Sequence, residues 1–176
     1  MNSKFIITLC AIAVGIGAVF CSIGARAETI KIVALGASNT AGRGVSSSEA
    51  WPAQLTAMLR AKGFDVSMTV EGVNGDTSSG ILSRADAIPA GTRVVLYDTG
   101  AANDRNKGVS AGERQANIAQ IASRIRAHGA AAILVSYDGI AGSLRQSDGI
   151  HLNAAGHARM AAQLLPQVIA AIGKRH

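Results

Sequence analysis

Only two cysteines occur in the 176 residues, Cys10 and Cys21, and both lie near the N-terminus. The remainder therefore has no thiol nucleophile, no disulfide and no cysteine metal ligand. Aromatic residues make up 3% of the chain, so the stacking rings that hold single-stranded nucleic acid are scarce. Basic residues outnumber acidic ones, 17 to 11, but they are dispersed, which describes a solvated surface rather than a nucleic-acid face. No His-Glu-x-x-His or comparable ligand cluster is present, and neither a metal nor an organic cofactor is expected. No internal repeat or low-complexity tract breaks the chain into smaller units.

What is present begins with an export signal. Lys4 supplies a positive start, Phe5 to Ala25 is uncharged, and Ala25-Arg26-Ala27 has the small-x-small pattern of a signal-peptidase site. An uncleaved anchor is the competing reading, because the apolar run is long enough to span a bilayer; the Ala-x-Ala site favours cleavage. The expectation is a secretory signal peptide over residues 1–27 and one domain over 28–176, periplasmic or secreted, with no stable membrane span. Loss of Lys4 and Arg26 takes the net charge from +6 to +4.

The apolar pattern then alternates between short β-rich runs and helical stretches. Strands are predicted at Ile30 to Leu35, Val66 to Val70, Arg93 to Thr99 and Ala131 to Tyr137. A helix is predicted after Ser48-Glu49, with Pro52 near its first turn and running to about Lys62; others are predicted from Thr77 to Ile88, from Gly112 to His128 and from Asn153 to about Ile172. Pro166 falls inside the last of these, where a proline kinks a helix, and His157 is assigned to its surface. This order predicts an α/β fold: a three-layer α/β/α sandwich around a mostly parallel, flavodoxin-like sheet of four to five strands. In such sheets sites form beyond the carboxyl ends of the strands.

Four short stretches carry groups that one acyl-transfer site needs. Gly36-Ala37-Ser38-Asn39-Thr40 offers a serine directly after a strand. Asn74-Gly75-Asp76-Thr77-Ser78 offers a backbone donor at Gly75, and Ala101-Ala102-Asn103-Asp104 an amide donor at Asn103. Asp148-Gly149-Ile150-His151 places a carboxylate and an imidazole three positions apart, where one can orient the other. Each has an ordinary reading as a turn or cap; together they supply nucleophile, base, orienter and oxyanion donors. Ser38 is in no phosphate loop and no Gly-x-Ser-x-Gly elbow, since Thr40 stands where the last glycine would be.

The four stretches, in this order, resemble the blocks of the SGNH (GDSL-type) hydrolases. The chain is most similar to their bacterial thioesterase I, lysophospholipase and arylesterase group. Ala50-Trp51-Pro52-Ala53-Gln54-Leu55 and the run from Asp148 to Asn153 add to the likeness, which extends over most of residues 30–172. The resemblance implies Ser38 as nucleophile, His151 as base, Asp148 as its orienter, and an oxyanion hole formed by Ser38, Gly75 and Asn103. Three positions depart from the pattern. Ala37 stands for the aspartate of Gly-Asp-Ser, Ala101 for the glycine of Gly-x-Asn-Asp, and residues 138–147 are short for a fifth strand with a substrate loop.

The function expected is an exported serine esterase acting on small acyl or aryl esters, with thioesters and lysophospholipids as further candidates. A carbohydrate O-deacetylase acting on an acylated envelope substrate is the alternative within this chemistry. A non-catalytic envelope-binding module that keeps the fold is the alternative outside it. The partner expected is a small-molecule ester or acylated polymer, not nucleic acid.

Overall fold

A computed structural model describes residues 28–173. The expected leader and its cleavage site lie outside the described residues. Four parallel strands form one sheet: β1 (Ile30–Gly36), β2 (Val66–Gly72), β3 (Thr92–Tyr97) and β4 (Ala131–Leu134), in the order β2-β1-β3-β4. This is the flavodoxin-like order at the lower of the two expected strand counts.

β1 and β3 are apolar runs, Ile-Lys-Ile-Val-Ala-Leu and Thr-Arg-Val-Val-Leu-Tyr, because helices cover both faces of the sheet centre. On one face α2 (Trp51–Ala61) and α6 (Ala154–Gly173) bring Trp51, Leu55, Met160 and Leu164 onto Ile32, Ala34, Val94 and Leu96. On the other, α3 (Ser78–Arg84) and α5 (Ala111–Ala127) bring Ile81, Ile121 and Ile125 onto Val33, Leu35 and Val95. Three layers result. β2, at the sheet edge, exposes much of its length, with Val70 48% exposed.

The helix starts follow capping chemistry. Ser110 Oγ accepts the Glu113 N–H of α5 at 3.1 Å, Thr77 Oγ1 accepts the Gly80 N–H of α3 at 3.3 Å, and Asn153 Oδ1 accepts the Gly156 N–H of α6 at 3.0 Å. Pro52 occupies the first turn of α2, where no intrahelical donor is needed. Pro166 lies within α6, which continues through it as one helix.

The structure departs from the sequence-based expectations in four places. β4 ends at Leu134, three residues before Tyr137, because Ser136 Oγ accepts the Asp138 N–H at 3.2 Å and turns the chain. Two short helices, α1 (Ser38–Ala41) and α4 (Ala101–Asn106), replace what read as polar turns. No fifth strand follows β4: the chain crosses to α6 through a 3₁₀ turn (Gly142–Leu144) and an isolated antiparallel bridge between Arg145 and Leu152. His157 is fully buried, not on the surface. It stands one turn ahead of Met160 and Ala161 on the core face of α6, and its Nδ1 accepts the Trp51 N–H at 3.2 Å.

Candidate active site

Ser38 opens α1 directly after β1, at the carboxyl edge of the sheet, and is 6% exposed. His151 reaches it from the turn before α6: His151 Nε2 lies 2.9 Å from Ser38 Oγ. On the other side of the ring, Nδ1 lies 2.5 Å from Asp148 Oδ2. A carboxylate can only accept, so Nδ1 carries the proton and Nε2 is left to accept the serine hydroxyl. The three groups form one hydrogen-bonded line, in the tautomer that general-base chemistry at Ser38 requires.

The Asp148 carboxylate is shaped by its own turn. Its Oδ1 accepts the N–H groups of Ile150 and His151, each at 2.9 Å. The His151 side chain first, and then these two N–H groups, hold its carboxyl well below the usual carboxylate range. Arg145 braces the turn from outside. It donates to Tyr137 O at 2.7 Å, to Ile150 O at 2.9 Å and to Ile140 O at 3.4 Å, while Gln146 N–H donates to His151 O at 2.7 Å. One guanidinium thus gathers the carbonyls of a connection that has no strand to organise it.

Asn103 sits in α4, beyond β3. Its Nδ2 donates to Asp76 O at 2.7 Å, and the second N–H of the amide remains for another acceptor. Its neighbour Asp104, fully buried, accepts the Ser78 N–H at 2.9 Å, and Lys107 Nζ reaches Gly75 O at 2.9 Å. Helix α4 and the residue that ends it, Lys107, therefore strap the Gly75 stretch down at three points. Arg84 holds it from the opposite side, pairing with Asp76 Oδ2 at 2.6 Å and donating to Gly36 O at 3.0 Å.

Gly75 has a φ of 79° and an added Cβ would meet nothing, so its left-handed backbone, not crowding, is what calls for glycine. The crowded glycine is Gly100, at φ 61°, where a Cβ would come within 2.8 Å of the Thr77 carbonyl carbon and 2.9 Å of Ser78 N. Close packing of the two segments thus falls on Gly100. Ala101, the departure noted in the sequence, is the first residue of α4.

A cavity of about 300 Å³ opens beside Ser38 and Asn103. Ser38, Asn103, Gly149 and Ile150 line it together with Thr99, Tyr137 and Arg145. Gly75 is not among its lining residues; its stretch is tied to the lining residue Asn103 through the Asp76 carbonyl. Two residues that the sequence did not single out are central to the arrangement. Asn39 binds the acid–histidine turn, accepting Leu152 N–H at 2.9 Å, and Asp98 accepts the Ala37 N–H beside the serine at 2.8 Å. Asn39 followed a conspicuous serine and Asp98 ended a strand pattern; only the adjacency to Ser38 and to a strand end could have marked them.

A three-layer parallel α/β domain with serine, histidine and aspartate in line at the carboxyl edge of its sheet defines the class. A model of the GDSL-like Lipase/Acylhydrolase family matches residues 34–145, and the chain belongs to that family. Esterase TesA of Pseudomonas aeruginosa is 34% identical over 113 residues, 63% of this chain and 55% of that protein. The chain thus matches about half the length of this curated relative. The crystal structure of TesA superposes with a TM-score of 0.72 at 24% identity, over 80% of this chain and 99% of its own. A carbohydrate esterase family 3 structure from Talaromyces cellulolyticus superposes at 0.69 with 14% identity, over 84% and 100%. At these identities both structures speak for the fold.

Proposed function

We propose that the protein is an exported serine esterase that hydrolyses small acyl or aryl esters through an acyl-enzyme intermediate. The observation that carries this reading is the Ser38–His151–Asp148 line, with 2.9 and 2.5 Å between successive partners. In this reading Ser38 Oγ attacks the ester carbonyl carbon while its proton passes to His151 Nε2. Asp148 stabilises the imidazolium that forms. The tetrahedral oxygen takes hydrogen bonds from the Ser38 and Gly75 backbone N–H groups and from Asn103 Nδ2. His151 then returns the proton to the leaving alcohol, and water repeats the sequence on the acyl-enzyme.

A panel of p-nitrophenyl esters from acetate to palmitate, run on the purified protein and on Ser38→Ala, tests the reading. Turnover that survives in Ser38→Ala would end it. Thioesters and lysophospholipids extend the same panel.

A second reading, O-deacetylation of a carbohydrate polymer, is favoured by the wall of the cavity. Thr99, Ser136, Asp138, Arg105 and Arg145 line it, and these suit hydroxyl-rich substrates better than an alkyl chain. Acetate release from an acetylated polysaccharide, compared with p-nitrophenyl acetate, separates the two.

A further inference from the structure

Asp98 is a carboxylate at 2% exposure, directly after β3, placed behind the turn that carries Ser38. Its Oδ2 accepts the Ala37 N–H and the Thr40 hydroxyl, both at 2.8 Å, and its Oδ1 accepts the Gly100 N–H at 2.8 Å. Ala37 and Thr40 flank Ser38 along the chain. Gly100 immediately precedes α4, the helix that carries Asn103. One side chain therefore ties the segment bearing the serine to the segment bearing the amide.

The surrounding sequence is fitted to this contact. A Cβ at Gly36 would overlap both Asp98 Oδ2 and Thr40 Oγ1, so glycine at the end of β1 is what lets the carboxylate approach. The Thr40 proton goes to Asp98, which leaves Thr40 Oγ1 to accept from the Tyr137 hydroxyl at 3.4 Å. Ala37 brings only a methyl group to this turn, and the fixing group comes instead from Asp98, the residue after β3. Burial raises the carboxyl of Asp98, against the pull of the Ala37 and Gly100 N–H groups, the Thr40 hydroxyl and the Arg84 charge. A buried carboxylate is a poor device for stability alone, since apolar groups of similar volume do as well or better.

We propose that Asp98 is a positioning residue for ester hydrolysis, holding Ser38 in register with the oxyanion donor on α4; this rests on the reading of Ser38 as nucleophile. The register matters because a misplacement of about 1 Å can cost about 100-fold in rate. Substrate binding in the ground state depends on it far less.

Asp98→Asn tests this with no change in size. The amide supplies one acceptor and turns its NH₂ on either the Gly100 N–H or the Ala37 and Thr40 donors. The expected result is a kcat lower by about 100-fold with KM within about twofold, and an equal loss of affinity for a boronic-acid transition-state analogue. Circular dichroism and a thermal melt report the folded fraction. A kcat within about threefold of wild type, or a loss matched by the unfolded fraction, overturns the proposal. If Asp98→Asn does not fold, Thr40→Val decides. Removing one of the two Oδ2 donors should lower kcat and analogue affinity together by about tenfold, and unchanged values overturn the proposal. Wild-type protein that neither hydrolyses any ester nor reacts with a fluorophosphonate would instead end the nucleophile reading itself.

Discussion

Asn39 and Leu152 are joined across the site by a buried hydrogen bond, Leu152 N–H to Asn39 Oδ1 at 2.9 Å. Asn39 follows Ser38 and Leu152 follows His151, so this bond fixes the neighbours of the proposed nucleophile and base to each other. Asn39 Nδ2 also reaches Ile150 O, at 3.4 Å, and the amide thus grips the peptide on either side of His151.

Replacing Asn39 should therefore loosen the base from the serine while leaving every reacting group in place. Asn39→Ala strands the buried Leu152 N–H, at a cost of about 1–3 kcal/mol. Turnover should fall by about 10- to 100-fold, the scale set by small misplacements. Asn39→Asp keeps the oxygen that Leu152 needs and should recover most of the melting temperature. Thermal melts and kcat on one short ester check both variants; an Asn39→Ala protein with wild-type melting and turnover would show that the grip is idle.

The triad itself predicts a hierarchy. Ser38→Ala and His151→Ala should each cost about 10⁴-fold or more in kcat, and together no more than either alone, because the pair acts as a unit. Asp148→Asn should cost less than either. Asn103→Ala should lose about 100- to 1000-fold if its amide is the proposed oxyanion donor. Single-turnover kinetics with a chromogenic ester, alongside circular dichroism, measures the four single variants and the double. Additive losses at Ser38 and His151 would contradict a shared mechanism.

The parts that were legible in the sequence are those carried by periodicity or by chain neighbours. β1 and β3 read as apolar runs because both faces are covered, and α5 and α6 showed their core faces at steps of three and four. Asp148 and His151 were legible because three positions in a turn bring them together. Asp98 and Asn39 were not, since their partners lie 61 and 113 positions away and no local pattern records such a contact. His157 was misread for a related reason. A histidine in a helix reads as polar, although its spacing to Met160, Ala161 and Leu164 already placed it on the buried stripe. The end of β4 was misread because a single serine hydroxyl, not hydrophobicity, stops it.

His157 gives the fold a pH dependence. Burial lowers its pKa from 6.5 to about 4, against the opposing pull of the Glu49 carboxylate. The folded value is depressed, so on acidification the unfolded chain takes up the proton first. The stabilisation is complete above about pH 6.5, is lost as pH falls from there toward 4, and the loss levels off below that. At 1.36 kcal/mol per unit the full effect is up to about 3 kcal/mol. His157→Gln keeps an acceptor within reach of the Trp51 N–H and does not titrate. Denaturant unfolding of both proteins from pH 7 to 4 should show the wild type losing stability relative to His157→Gln; parallel curves would refute the assignment.

Acyl-chain length is the prediction that bears most directly on substrate. A groove that buried an alkyl chain would contribute about 0.8 kcal/mol per methylene, or about fourfold in kcat/KM for each carbon added. The structure offers little such surface next to Ser38. Residues 138–147, where a longer segment could wall a groove, are drawn in by Arg145 onto the carbonyls of Tyr137, Ile140 and Ile150. What remains is a cavity of about 300 Å³ whose lining includes Thr99, Arg105, Ser136 and Asp138. Along the p-nitrophenyl series, kcat/KM should stay flat or fall beyond about four carbons, because added methylenes enter water rather than an apolar wall. Arg145→Met should release the connection and damage turnover on every ester without creating a preference for long chains. Specificity that climbs steadily through octanoate to palmitate would mean that a chain-binding surface exists elsewhere around Ser38.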